Sequence, residues 1–374
     1  MKIAVFMNSV YLGGAEKSII LQMKELQRTK QSMQVHFFFP SSNISESCLH
    51  FINENIRQVK VFSVCLDKRF YQMSRINLRF GALLQGVQGF ISTLVSFNKV
   101  AFKNYDVLWC NGNKVASVVG LIHAFSNYPS RIIWHLRDYC PHNFILSFVF
   151  RVNKRIEFIA NSNSVASSLL KTHNRSAKIV YNPVLPNIEF SPRADIKKIA
   201  LASMHAPWKG IHVVLRMVKV YEKELRELDI KTINVYGDMI YETKGNHNHY
   251  SKDLQRIAYD SKLVQFRGLC SSREIFSSND LLIHSSIKEE PFGRVILEAF
   301  QSGVPVISTA LGGASELVVN KETGYVYHSH DIHDLFNRIV DVIDGEKRSE
   351  ILTSAYQRSK YIQEHYEKAL ADIF

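Results

Sequence analysis

The segment Glu290-Pro291-Phe292-Gly293-Arg294-Val295-Ile296-Leu297-Glu298 separates two carboxylates by seven residues, across a Pro/Gly turn and the start of a helix. A short apolar run ending in His284-Ser285-Ser286 precedes it and reads as a buried strand. Pro291 and Gly293 shape the turn, and the helix begins at about Arg294. First-turn amides, those of Val295 and Ile296 included, have no acceptor inside the helix and can bind a phosphate. A carboxylate on the first turns, Glu298, suits the paired hydroxyls of a ribose. Glu290, at the strand's carboxyl end, is placed to hold hydroxyls of a second group. Phosphate, ribose and a further polyol in a row describe a nucleotide sugar. Two glutamates by themselves describe only a solvated loop and helix face.

The remaining candidates are weaker in isolation. Gly13-Gly14 lets backbone approach a ligand closely, and it also makes an ordinary turn. His135 ends the apolar run Ile132-Ile133-Trp134, where an isolated histidine is commonly structural. Lys209 is, on its face, an exposed lysine before a helix. His328, His330, Asp331 and His333 form the nearest thing to a metal cluster, but a solvated loop explains them better, as it does His247 and His249. No Asp-x-Asp triplet occurs, so no metal is expected to hold a nucleotide diphosphate.

Order and spacing carry more than any one motif. Glu290 and Glu298 are followed by Gly303-Val304-Pro305-Val306-Ile307, Gly312-Gly313-Ala314-Ser315-Glu316-Leu317 and Gly324-Tyr325-Val326. Pro207-Trp208-Lys209-Gly210, Tyr236-Gly237-Asp238 and Phe266-Arg267-Gly268 precede them. This series, from about Ala200 to Ile343, resembles the C-terminal domain of family 4 retaining glycosyltransferases, which have the two-Rossmann GT-B fold. The first half is similar more weakly, through Gly13-Gly14-Ala15-Glu16, Trp134-His135-Leu136-Arg137-Asp138 and Tyr181-Asn182-Pro183-Val184.

The resemblance implies roles. Glu298 would bind the ribose and Glu290 the donor sugar, with the amides around Phe292 and Gly293 facing that sugar. The amides of Val295 and Ile296 would take the diphosphate, and Lys209 would neutralise it as it leaves. Gly13 and Gly14 would approach the same diphosphate from the N-terminal domain. His135 would lie near the transferred sugar, with Arg137 and Asp138 on the acceptor side. One position departs from the family pattern: Met204 stands where an arginine is common, five residues before the lysine, so that His205 or Arg294 supplies part of the charge, or the donor is bound more weakly, or activity is lost. No protein nucleophile and no cofactor is implied; the donor is a nucleoside-diphosphate sugar.

These residues need a scaffold, and the chain supplies an α/β one. Ile3–Met7, Val35–Phe39, Val59–Val64, Asp106–Cys110, Arg131–His135 and Phe158–Ala160 read as buried parallel strands with helical patterns between most of them. Pro183, Pro186 and Pro192 interrupt the pattern and mark a linker. A second series follows at Ile199–Ser203, Thr232–Tyr236, Val264–Arg267, Asp280–His284, Val304–Ser308 and Gly324–Val326. The expected organisation is two Rossmann-like doubly wound domains facing across a cleft. Residues 1–185 bind the acceptor, 199–349 bind the nucleotide sugar, and a helix over 350–374 crosses back to the first domain.

The 374 residues carry 46 Lys and Arg against 34 Asp and Glu, a net charge of +12. Residues 1–200 hold +15 of it and residues 201–374 hold −3. The basic half suits an anionic partner, either a lipid-linked glycan or an anionic membrane surface, and a solvated face with no partner has the same composition; nucleic acid fits poorly for want of a recognisable module. Phe80, Leu83, Leu84, Val87, Phe90, Ile91 and Leu94 form a helical stripe flanked by Lys68, Arg69, Arg75, Arg79, Lys99 and Lys103. A core-facing helix and an interfacial helix on anionic lipid both have that pattern, as does Phe144–Phe150. Five scattered cysteines without a C-x-x-C pair suit a reducing cytosol, and the apolar run before Asn8 is too short for a signal peptide. A cytoplasmic protein, peripheral on the inner membrane face, is expected. Its expected activity is retaining transfer to a lipid-linked intermediate of bacterial surface polysaccharide. The alternatives are a non-catalytic partner subunit and a nucleotide-sugar epimerase.

Overall fold

A computed structural model describes residues 1–67, 80–98, 100–126, 128–142, 144–183, 189–238, 247–345 and 347–374, with only the backbone for 80–85, 98, 247 and 248. The chain divides into two compact units. Met1–Pro183 and Glu367–Phe374 form the first, and Val184–Tyr366 the second. The boundary falls at the proline-marked linker, of which 184–188 lie outside the described residues.

The first unit is built on a seven-stranded, all-parallel sheet. Its strands are β1 (Lys2–Met7), β2 (Gln34–Phe39), β3 (Lys60–Ser63), β4 (Val107–Asn111), β5 (Arg131–Leu136), β6 (Ile156–Ala160) and β7 (Lys178–Ile179). They lie in the order β3-β2-β1-β4-β5-β6-β7. Helices cover both faces, which is why β1, β4 and β5 are apolar almost throughout rather than alternating. Ala4, Phe6, Leu108, Ile132 and Trp134 face one way, into a core completed by α3 (Phe80–Asn98), α4 (Asn113–Ala124), α5 (Phe144–Val152) and α6 (Asn163–His173). The other helices of the unit are α1 (Gly14–Thr29) and α2 (Glu46–Asn55). Ile19, Ile20, Met23 and Leu26 bury the helical stripe of α1.

The second unit repeats the plan with six parallel strands: β8 (Lys198–Ala202), β9 (Thr232–Tyr236), β10 (Val264–Gly268), β11 (Leu281–His284), β12 (Val306–Ser308) and β13 (Tyr325–Val326). Their order is β10-β9-β8-β11-β12-β13. Its helices are α7 (Ile211–Glu227), α8 (His247–Ile257), α9 (Ser272–Ser277), α10 (Arg294–Ser302), α11 (Ile332–Asp344) and α12 (Arg348–Ala371). In both units the chain steps outward one way from the first strand and then returns to its other side. That reversal opens a crevice at the carboxyl ends of β1/β4 and of β8/β11, where open α/β sheets bind ligands.

All twelve expected strands are present, and the two-residue β7 is additional. The last helix, expected to cross back to the first domain, is divided between the two units. Its residues up to Tyr366 belong to the second unit, and only Glu367–Phe374 to the first. There Arg131 Nη1 donates to the Ile373 carbonyl at 2.9 Å and the Phe374 ring lies 6.1 Å from that of Trp109. The stripe on α3 also turns out differently. Phe90 and Leu94 pack on the core, whereas Val87 and Ile91 point to solvent. Leu83, Leu84 and the basic residues Lys68, Arg69, Arg75, Arg79 and Lys99 fall outside the described side chains.

Candidate functional site

In the second unit the sequence candidates assemble around the β8/β11 reversal. Lys209 follows β8 in a 3-10 turn, Pro207–Lys209, and Glu290 follows β11 in the loop before α10. Two bonds fasten these loops together: the Ile287 amide donates to the Trp208 carbonyl at 2.8 Å, and the Ser285 hydroxyl to the Lys209 carbonyl at 2.9 Å. Gly210 makes the approach feasible. It sits at φ +67°, and a Cβ there would stand 1.9 Å from the Ser285 carbonyl oxygen.

The result is a nearly buried ion pair. Lys209 Nζ lies 2.6 Å from Glu290 Oε2 and 4.1 Å from the centre of the Trp208 ring. The same carboxylate oxygen accepts from the Ser286 hydroxyl at 3.0 Å, and His284 Nε2 stands 3.4 Å away. Burial by itself would raise the Glu290 carboxyl, but the Lys209 ammonium and the His284 ring outweigh it and hold the group well below the carboxylate range. Glu290 is therefore ionised at all ordinary pH. Lys209 gives one of its three N–H donors to this carboxylate.

Glu298 is on the first turns of α10, as expected. It accepts from Arg294 Nη2 at 3.1 Å and from the Ser272 hydroxyl at 2.7 Å. Gly293, the residue before the helix, is left-handed at φ +95°, and Phe292 is buried. The Ile296 amide donates to the Gly293 carbonyl at 2.9 Å, closing a tight first turn. The Ile296 amide, expected to face a phosphate with that of Val295, is thus engaged within the first turn of its own helix. The loop is held from behind: the Glu290 amide donates to the Leu311 carbonyl at 3.1 Å and the Gly313 amide to the Glu290 carbonyl at 2.7 Å.

Of the two groups that could replace the arginine missing at Met204, His205 is unsuited. Burial lowers its pKa against the smaller opposing pull of Asp238, so it is neutral near pH 7, and its Nδ1 is 3.1 Å from the Ser251 hydroxyl. The other candidate, Arg294, has its guanidinium engaged by Glu298.

The first unit holds its own candidates at the carboxyl edge of its sheet. Gly13 precedes α1 with no side-chain cap, and nothing lies within 4 Å of where a Cβ on Gly14 would be. His135 is expected beside substrate, but its ring is fully buried within β5, 5.9 Å from Trp109, and neither ring nitrogen has a hydrogen-bond partner. Burial, with a smaller push from Arg137, holds it neutral. Arg137 donates to the side-chain oxygens of Asn111 at 2.9 Å, Asn182 at 2.5 Å and Gln22 at 2.6 Å. Asp138 accepts from the Tyr139 amide at 2.8 Å. Beside Arg137, Glu16 is buried deeply enough for its carboxyl to rise to about 7.

Sequence reasoning missed His284, Ser286 and Ser272 as partners of the two glutamates. His284 and Ser286 were visible as polar residues ending a buried strand; Ser272 gave no signal. Among the described residues no group of three or more His, Cys, Asp or Glu could hold a metal ion, and His328 pairs with Asp334 at 2.8 Å. All five cysteines are free, and no described helix is long and apolar enough to cross a membrane.

Comparison with known proteins bears on this site directly. Residues 189–358 match the family described as Glycosyl transferases group 1. The matched stretch lies within the second unit and contains Lys209, Glu290 and Glu298. A trehalose synthase of Pyrococcus horikoshii is 28% identical over 148 residues, covering 38% of this chain and 34% of that protein. The N-acetyl-alpha-D-glucosaminyl L-malate synthase of Bacillus anthracis is 31% identical over 98 residues, 26% of each chain. The chain thus spans about a third or less of the length of these relatives. Among solved structures, Anabaena HepE in complex with UDP and glucose superposes with a TM-score of 0.77 at 22% identity, covering 100% of this chain and 99% of that one. The fold is accordingly GT-B, with two parallel-sheet Rossmann-like domains.

Proposed function

We propose that this protein is a retaining, metal-independent glycosyltransferase that moves a sugar from a nucleoside-diphosphate sugar to a hydroxyl of a lipid-linked glycan, an intermediate of bacterial surface polysaccharide. The observation that carries the donor half is the Lys209–Glu290 pair at the β8/β11 reversal, beside the amino terminus of α10. UDP and glucose in the HepE complex support a donor of the UDP-sugar class.

In this reading Glu298 binds the ribose, and Ser272 and Arg294 hold its carboxylate in place. Glu290 accepts from the sugar hydroxyls, its charge fixed by Lys209 and His284. As the bond from the anomeric carbon to the diphosphate oxygen lengthens, Lys209 and the Val295 amide face the growing negative charge and stabilise it. The acceptor hydroxyl enters on the same face of the sugar. Its proton passes to the departing diphosphate oxygen, so configuration is retained with no covalent protein intermediate. The absence of an Asp-x-Asp triplet, and a lysine in place to meet the diphosphate charge, support the metal-independent form.

In the first unit, Gly13 and Gly14 serve the donor, offering backbone approach to its diphosphate, and the acceptor side falls to other residues. His135, Arg137 and Asp138 serve that half chiefly by shaping its edge, since His135 is buried and Arg137 already holds three amide oxygens. Incubating the chain with a panel of nucleotide sugars and a membrane-lipid extract, with and without chelator, tests the proposal. A lipid product heavier by one sugar, with the donor's anomeric configuration and at an unchanged rate under chelator, is expected. Donor binding without turnover would identify a non-catalytic subunit, and turnover without acceptor to a second nucleotide sugar would identify an epimerase.

A further inference from the structure

The helical layer formed by α3, α4 and α5 covers one face of the first unit's sheet, with α3 against α4 and α4 against α5. Its inner side is the core. On its outer side, Val87, Ile91 and Val95 of α3 are 43%, 55% and 59% exposed, at i, i+4 and i+8. Phe144 and Phe148 of α5 are 84% and 41% exposed, with their rings stacked 6.4 Å apart. Single exposed apolar residues are ordinary, but stripes at helical spacing on two helices of one layer are not. They gain nothing from the fold, because Phe90 and Leu94 on α3 and Leu146, Val149 and Phe150 on α5 already supply the core.

Charge selects the occupant. Residues 80–155 contain eight Lys and Arg and two Asp and Glu. Arg151, one turn beyond Phe148, is exposed, as are Lys154 and Lys103. A second copy of this chain would bring an equally positive face against this one, which is unfavourable. Nucleic acid would meet branched aliphatic side chains that neither stack on bases nor reach phosphates. An anionic bilayer satisfies both features: the stripes enter the acyl boundary while the basic residues stay among the headgroups.

We infer that the outer face of α3 and α5 docks the protein on an anionic lipid bilayer. This deepens the proposed function by saying how the enzyme reaches a lipid-linked acceptor, and it does not depend on the donor chemistry.

Flotation of the full chain with vesicles of phosphatidylglycerol and phosphatidylcholine in equal parts, against phosphatidylcholine alone, tests it. Binding to the anionic vesicles only, weakening as salt rises, is expected. Ile91→Glu combined with Phe144→Glu should lower binding at least about tenfold. Arg151→Glu and Lys154→Glu should each lower it about fivefold. Tyr259→Glu, at an exposed aromatic of the second unit, should change nothing. No binding to anionic vesicles, or binding that the Ile91/Phe144 pair of substitutions leaves intact, overturns the inference. So does a dimer in solution that Ile91→Glu dissociates while vesicles go unbound. Nucleotide-sugar turnover in detergent by the Ile91/Phe144 variant should equal that of the unsubstituted chain, so failure of docking and failure of the donor reading are separately visible.

Discussion

Lys209 and Glu290 are each about nine-tenths buried at the side chain, so removing Lys209 takes away the ammonium that lies 2.6 Å from a carboxylate held in low dielectric. Lys209→Met should cost about 3–5 kcal/mol in urea denaturation, and adding Glu290→Leu should recover much of it. Kinetically, Lys209→Ala should lower turnover far more than donor affinity, because the ammonium acts mainly on the leaving diphosphate; equal losses would count against that role. Glu16 gives a pH signature of opposite sense to that of a paired carboxylate. Burial raises its folded pKa to about 7 from 4.5, so the folded state binds the proton more tightly than the unfolded one. Stability from this group is complete below pH 4.5 and is lost as pH rises through about 7, by up to about 3 kcal/mol. Denaturation at pH 5 and pH 8 should show that loss in the unsubstituted chain and not in Glu16→Gln. At this scale the sequence named the glutamates and the lysine, because their spacing is local. Ser272 comes from another element, and no local pattern announces a hydrogen bond between residues 26 apart; His284 and Ser286 lie within six residues of Glu290, but only the fold of the loop turns them onto its carboxylate.

Close backbone approach between elements does the positioning. A Cβ on Gly313 would stand 2.3 Å from the Pro291 carbonyl oxygen, so the loop carrying Glu290 can lie where it does only against glycine. Gly313→Ala should push that loop outward and weaken nucleoside-diphosphate binding at least about tenfold by calorimetry, with the circular dichroism spectrum of the fold preserved. Strands were legible because buried parallel strands are short, continuous apolar runs between breaker residues. β7 gives no such run, because Lys178 is exposed and Ile179 stands alone, whereas the equally short β13 follows the breaker Gly324. The orientation of α3 was not legible, since Val87 and Phe90 look alike in a hydrophobic pattern and only packing decides which one faces the core. Met204 was read as a lost charge, and the fold shows why His205 does not replace it: its ring is buried and neutral.

On the scale of the whole molecule, the +12 net charge resolves into a basic first half and a nearly neutral second half, where the similarity to group 1 glycosyl transferases lies. The last residues, Glu367–Phe374, complete the first unit, with Arg131 bridging the Ile373 carbonyl and the Glu157 carboxylate. Arg131→Ala should speed amide hydrogen exchange over 367–374 about tenfold or more while leaving the core of the second unit protected. The linker and the two-domain plan were legible from the proline cluster and the repeated strand–helix series. How the last helix is shared was not, because a polar-faced helix carries no mark of its partner. The donor chemistry of the second unit is the centre of the account. Its most direct test is nucleoside-diphosphate release from a panel of nucleotide sugars with lipid extract, comparing the unsubstituted chain with Lys209→Ala. Release from one donor or a few, reduced at least about a hundredfold by the substitution, is the predicted result. No release from any nucleotide sugar, or release that Lys209→Ala leaves unchanged, would contradict it.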